Sequence, residues 1–290
     1  MLSSAMLPTP ILINKDRLRV FVGFCDKLNV GRVGFVDVDP NDPSKILSIS
    51  KKPVFDIGNG GAFDDNGVVP ISIVRLSDNI IYLYYIGFQL GVKVPYYMFC
   101  GLAISKDNGE SFERYSKSPI LDRVNDEIFA RCGCHVKKMD GKFKMWYVGS
   151  IDSGWVKKGD KSLPLYSMKY IESIDGINWD ESKSIKCMNF ENSDEHGFGR
   201  PYVFKEKGVY KMYYSVRTFS RGYFIGYAES FDGIEWSRMD YQAGISISES
   251  GWDSTNISYP HLLKHKDKTY MFYNGNSCGK SGFGYAETID

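Results

Sequence analysis

The chain predicts an all-β fold, a single five-bladed β-propeller over residues 1–290, on three observations: abundant aromatics in short runs, no helical periodicity, and one strand pattern that returns five times. Aromatic residues make up 15% of the sequence, led by 20 Tyr and 18 Phe, which favour pleated, half-buried surfaces. No stretch carries a sustained apolar pattern at helical spacing with capping residues, so strands are expected throughout.

The clearest copy is an aromatic strand at residues 20–24, 84–88, 146–150, 213–217 and 272–276. The step of roughly 60 residues suits a four-stranded blade with its loops. Upstream of each copy comes another strand and a tight polar turn, as in VVPISIVRLSDNIIYLYY and GRPYVFKEKGVYKMYY. Asp140-Gly141 and Lys207-Gly208 suit short hairpin loops. A third strand follows as GLAIS, KYIES, GYAES and GYAET, with GRVGFVDVD as the weakest copy. A fourth comes after SKDNGESFER, SIDGINWDES and SFDGIEWSRM. In these segments Asp107, Asp175 and Asp232 with their glycines make the turn, and Phe112, Trp179 and Trp236 pack between blades. The last copy ends without a fourth strand, and the segment before Pro8 is expected to supply it.

Composition narrows the function classes. With 36 basic and 35 acidic residues the net charge is +1, without the basic excess of a nucleic-acid binder. No apolar run approaches the roughly 20 residues of a membrane span. The N-terminus shows no basic start followed by an apolar block, so a cytoplasmic protein is expected. The six cysteines are scattered, and Cys132 and Cys134 find no second pair at ligand spacing. Buried free thiols are expected, with no zinc. No glycine-rich nucleotide motif precedes a helix, so no cofactor is expected.

In a propeller the innermost strands line the central channel, and the loops leading into them form one rim. Here those loops read GGAFDDNGVVP, RVNDEIFARCG, NSDEHGFGRP and SGWDSTNISYP. Counting back from the aromatic strands aligns Asp65 with Glu127. Aligning on Pro70 and Pro201 sets Glu195 with Asp64 and His196 with Asp65. Asp253 lies one place earlier relative to Pro260, and Asn256 matches Asn66. Four blades are thus expected to bring a carboxylate to one rim. Turn chemistry explains the Asp and Asn well but the two Glu poorly. Arg131 and Arg200 are expected to carry guanidinium groups into the channel mouth, near Arg217 and His196. Tyr85, Tyr147, Tyr214, Trp252 and Tyr259 are candidate stacking surfaces for a sugar.

The FDDNGVVP and GWDSTNISYP loops, the GRPYVFKEKGVYKMYYS unit and the SxDGxxW turns together resemble the five-bladed glycoside hydrolase superfamily of arabinanases, invertases and β-mannoside phosphorylases. The resemblance covers the whole chain. It implies an Asp base at Asp65, a modulating carboxylate at Glu127 and a Glu acid at Glu195. Two departures stand out: Glu127 is a Glu where an Asp is usual, and the N-terminal blade offers Thr9 where a base is usual. The implied function is inverting hydrolysis or phosphorolysis of a glycoside, with two carboxyl groups about 6.5–9.5 Å apart around the attacking water. Asp64, Asn66, Arg131, His196, Arg200, Arg217, Asp253, Asn256 and Tyr259 are the expected substrate-binding residues. The partner is a carbohydrate, including one that bears an anionic group, or inorganic phosphate. A glycan-binding propeller without turnover and a sugar-modifying or transfer enzyme on the same scaffold are the alternatives.

Overall fold

The computed structural model describes residues 4–288, without the side chains of residues 152 and 153. The regular structure of the described residues is nearly all strand and falls into five consecutive antiparallel groups. The first holds β1 (Ser4–Asn14), β2 (Arg17–Cys25), β3 (Gly31–Asp39) and β4 (Asp42–Ile49). The second holds β5 (Val68–Arg75), β6 (Ile81–Leu90), β7 (Tyr96–Ser105) and β8 (Glu113–Arg114). The third holds β9 (Ala130–Met139), β10 (Lys142–Lys158), β11 (Lys161–Ser173) and β12 (Ile185–Met188). The fourth holds β13 (Glu195–Glu206), β14 (Val209–Thr218), β15 (Gly222–Ser230) and β16 (Ser237–Arg238). The fifth holds β17 (Ser258–His265), β18 (Lys268–Asn274) and β19 (Phe283–Glu287). The second and third groups share backbone pairing, because Met98 and Phe99 of β7 run parallel to Ala130 and Arg131 of β9.

Local chemistry sets these boundaries. Asp140-Gly141 and Lys207-Gly208 take positive φ at both turn residues, the twist that lets two strands return without splaying. In the SxDG turns and the related SKDNG turn the Ser hydroxyl donates to the Asp carboxylate, at 2.7 Å in Ser105–Asp107 and 2.9 Å in Ser173–Asp175 and Ser230–Asp232. These turns are structural, as expected.

They also fasten neighbouring groups. Arg19 of β2 donates to the Gly109 carbonyl at 2.8 Å, Tyr84 of β6 to Gly176 at 2.8 Å, and Trp146 of β10 to Gly233 at 2.6 Å. The same step recurs from the last group to the first, where the Tyr270 hydroxyl donates to the Asn41 carbonyl at 3.1 Å. Each first strand packs against the first strand of the next group, and β17 packs against β1.

The chain ends meet differently from the expectation. Residues 4–6 are not an outer strand of the last group; they pair with Cys25, Phe24 and Gly23 as part of β1. Among the described residues β19 pairs only with β18. The ends are joined instead at the inner strands: the Leu7 amide donates to Asn274 at 2.7 Å, and the Asn274 amide donates to the Ala5 carbonyl at 2.8 Å. The reason is a bulge at Leu7-Pro8, which carries β1 onward past Pro8 rather than outward to the edge.

Candidate functional site

All five innermost strands change register against their partners near the same level. The breaks fall between Met6 and Thr9, Pro70 and Ser72, Cys132 and His135, Gly199 and Tyr202, and Ser258 and His261. A bulge inserts an extra residue and re-aims its side chain. At four of the five the inserted backbone is left-handed: Leu7 (φ 56), Gly133 (φ 60), Arg200 (φ 36) and Tyr259 (φ 61). Glycine adopts this freely, but Leu7, Arg200 and Tyr259 do not, and each precedes a proline that narrows its backbone further. Such backbone costs about 1–3 kcal/mol per residue and concentrates at functional sites.

All four residues line one cavity of about 250 Å³. Every group contributes to it, from Leu7 and Met98 through Cys132 and Arg200 to Tyr259 and Cys278. Its polar lining is two arginines, Arg200 and Arg217, and four tyrosines, Tyr96, Tyr166, Tyr223 and Tyr259; the rest is mostly apolar. The tyrosines stand in pairs, with the Tyr259 hydroxyl donating to Tyr223 at 3.3 Å and the Tyr96 and Tyr166 hydroxyls 3.5 Å apart. The volume lies below the about 300–1,000 Å³ of drug-sized clefts and suits a single monosaccharide-sized group.

Arg200 crosses the floor. It is 2% exposed and donates to the Thr9 hydroxyl at 2.7 Å, to His261 Nδ1 at 2.9 Å and to the Tyr259 carbonyl at 3.3 Å. Arginine has no lone pair to offer, so His261 accepts through Nδ1 and carries its proton on Nε2. Burial, with Arg200 beside it, pushes His261 well below its ordinary value and keeps it neutral. Burial also pushes Arg200 down to about 9, which leaves it charged at neutral pH. Arg217 stands between the rings of Tyr166 and Tyr223, 5.1 Å from each centroid, and its buried Nε meets no hydrogen-bond partner.

The expected carboxylates lie elsewhere. Asp64, Glu127, Glu195 and Asp253 are 0%, 2%, 6% and 3% exposed, and each is held inside its own group. Asp64 accepts from Arg114 at 2.7 Å and from the Tyr85 hydroxyl at 3.0 Å. Glu127 accepts from Arg131 at 2.8 Å, from the Tyr147 hydroxyl at 3.1 Å and from Lys169. Both oxygens of Glu195 are taken by Arg238, at 2.7 and 2.9 Å. Asp253 accepts from the Tyr273 hydroxyl at 2.8 Å. Asp64, rather than Asp65, occupies the position that Glu127 takes in the next group. Asp65 is half-buried and accepts the Gly61 amide at 2.8 Å. Among the described residues no carboxylate lines the cavity.

Of the expected binding residues, Arg200, Arg217 and Tyr259 come together in the cavity. Arg131 does not enter the channel mouth: its guanidinium is spent on Glu127 and on Glu181 at 2.8 Å. His196 stacks on Phe219 and faces the Pro164 carbonyl at 3.1 Å. Asn66 donates its backbone amide to Phe88, and the Asn256 amide donates to Asn276. Tyr85, Tyr147 and Tyr214 are fully buried, and Trp252 packs on Tyr273 at 5.1 Å, so none of these four forms the cavity wall. Sequence reasoning missed Tyr96, Tyr166 and Tyr223, on the third strands. A signal was present, since Tyr166 and Tyr223 stand at the same offset before Ser173 and Ser230, which open the SxDG turns.

No family model matches the sequence. Among solved structures the chain resembles BT0996 in an RGII complex, with a TM-score of 0.75 at 18% identity over 99% of this chain and 88% of that one. A thermostable family-43 glycoside hydrolase gives a TM-score of 0.72 at 16% identity, covering 100% of this chain and 89% of that one. The Bombyx mori GH32 beta-fructofuranosidase BmSUC1 gives 0.62 at 15% identity, covering 99% of this chain and 59% of that one. At these identities the likeness is one of fold, shared with glycoside hydrolases. In sequence the chain is 35% identical over 284 residues to "Uncharacterized protein Rv1502" of Mycobacterium tuberculosis, covering 98% of this chain and 92% of that protein, and it belongs to that protein's family.

Proposed function

We propose that residues 1–290 form one five-bladed propeller that acts on a carbohydrate as a glycosidase-like enzyme, with the sugar in the cavity where the inner strands meet. The ring is supported by the cyclic packing of the first strands and by the recurring donor-to-turn hydrogen bond that links the last group to the first. One observation carries the site: residues from all five groups, three of them in costly backbone, converge on a cavity lined by tyrosines and arginines. Tyrosine rings offer sugar faces an apolar surface, and their hydroxyls and the guanidinium groups offer hydrogen bonds to sugar oxygens. The glycoside hydrolase fold of the solved neighbours supports the same substrate class.

Within this reading, inversion by Asp65 as base and Glu195 as acid requires Glu195 to leave Arg238 and both carboxylates to reach the cavity. A second reading, glycan binding without turnover, is favoured by the engagement of Asp64, Glu127, Glu195 and Asp253 inside their own groups. Calorimetric titration with a panel of glycosides, alongside turnover of aryl glycosides with and without phosphate, decides between them. Turnover that Asp65→Asn and Glu195→Gln abolish, with sugar binding retained, assigns the two-carboxylate reaction. Binding without turnover assigns the second reading. Neither binding nor turnover across the panel overturns the proposal.

A further inference from the structure

Four arginines inside the strand groups are each neutralised by a carboxylate. Arg19 meets Asp37 at 2.7 Å, Arg114 meets Asp64 at 2.7 Å, Arg131 meets Glu127 at 2.8 Å and Arg238 meets Glu195 at 2.7 Å. The two arginines of the cavity break this pattern. Among the described residues no carboxylate lies within ion-pair distance of either, and none lines the cavity. Arg200 is 2% exposed and meets only neutral acceptors, Thr9, Tyr259 and His261. Among the described residues Arg217 makes no side-chain hydrogen bond and is flanked by Tyr166 and Tyr223.

An uncompensated buried cation is costly, and among the described residues Arg200 stands in that position with the half-buried Arg217 beside it. Fixed cations facing an apolar, water-poor space bind an anion far more strongly than the same charges in open water. Two guanidinium groups also offer several N–H donors, which suits the oxygens of a carboxylate or a phosphate. The tyrosine hydroxyls beside them can donate to the same group.

We propose that Arg200 and Arg217 form an oxyanion subsite, and that the sugar taken by this cavity carries a negative group, a carboxylate or a phosphate ester. The proposal rests on the reading of the cavity as the sugar site and names the class of sugar. Arg217 discriminates, because its guanidinium has no other polar partner among the described residues. Arg200 holds the floor and supplies the second charge.

The test is calorimetric titration of the full chain at low salt with three probes: a neutral methyl glycoside, the matching uronic acid glycoside, and inorganic phosphate. The acidic sugar should bind at least about ten-fold tighter than the neutral one. Arg217→Met, checked as folded by its melting curve, should bring that preference below about three-fold by weakening the acidic sugar much more than the neutral one. Arg217→Lys should restore part of it, since charge returns without the planar fork. Phosphate that competes with the acidic sugar identifies the anion as the sugar's own substituent. Phosphate that binds together with the neutral sugar, and is lost in Arg217→Met, keeps the oxyanion subsite but overturns its assignment to the sugar. Equal affinity for neutral and acidic sugars, with no phosphate binding, overturns the subsite and leaves the sugar reading standing. Arg217-dependent binding of phosphate with no sugar of either kind bound keeps the subsite and overturns the sugar reading.

Discussion

Arg238→Ala tests whether Glu195 is a structural carboxylate. In the native chain Arg238 forks onto Glu195 at 2.7 and 2.9 Å, meets Asp240 at 2.5 Å and lies 3.5 Å from Glu191. The side chains of Arg238 and Glu195 are 5% and 3% exposed. Removing the arginine leaves three carboxylates whose oxygens lie within 4.8 Å of one another, with their central cation gone. Breaking a buried ion pair from one side costs about 3–5 kcal/mol. Glu191 is half exposed and can turn to water, which places the loss at the lower end, about 3 kcal/mol. At about 2–4 °C per kcal/mol for a large domain, the melting temperature should fall by about 6–12 °C. Differential scanning fluorimetry measures the change. A melting temperature within about 2 °C of the native chain would refute this account.

Trp146→Phe removes the shorter of two hydrogen bonds to the Gly233 carbonyl, which keeps Trp236 at 3.2 Å, so chemical denaturation should show a loss of about 0.5–1.5 kcal/mol. Asn274→Leu deletes the bonds to Leu7, Ala5 and Gly282 that join the chain ends; it should lower the melting temperature by several degrees and speed proteolysis near the N-terminus. The amides of Ile234 and Glu235 hold the Asp232 carboxyl below its ordinary value. Its contribution is thus present above the unfolded value of about 3.9 and lost as pH falls through the folded one, so Asp232→Asn should flatten the acid limb of a stability profile below about pH 4.

The repeat was legible because strand pattern and turn chemistry act locally: the aromatic second strands and the SxDG turns lie where the sequence places them. Pro70, Pro201 and Pro260 were useful anchors for a reason visible only in three dimensions, since they mark the bulges. The carboxylates precede or open the inner strands in the chain, but the direction each one faces was not legible. Whether Glu195 faces a cavity or Arg238 depends on a residue 43 positions away. Asp65 was preferred to Asp64 because counting from Tyr85 assumes an unbroken register, and the break between Pro70 and Ser72 removes that assumption. Arg131 and Arg200 both stand on innermost strands, yet one turns to Glu127 and the other crosses to Thr9 on the first strand of the chain.

That last contact has a kinetic consequence. Arg200 reaches Thr9 across 191 residues and His261 across 61, and Leu7 reaches Asn274 across 267. Loop-closure entropy delays such distant pairings until the intervening chain is folded. During synthesis the first four groups can form their hairpins as they emerge, but the cavity floor must wait for His261. Until then Arg200 lacks the imidazole it rests on, and its left-handed backbone has nothing from the fifth group to hold it. The cavity is therefore among the last parts of the molecule to exist, and a chain stalled before β17 would carry most of the strands and no complete cavity.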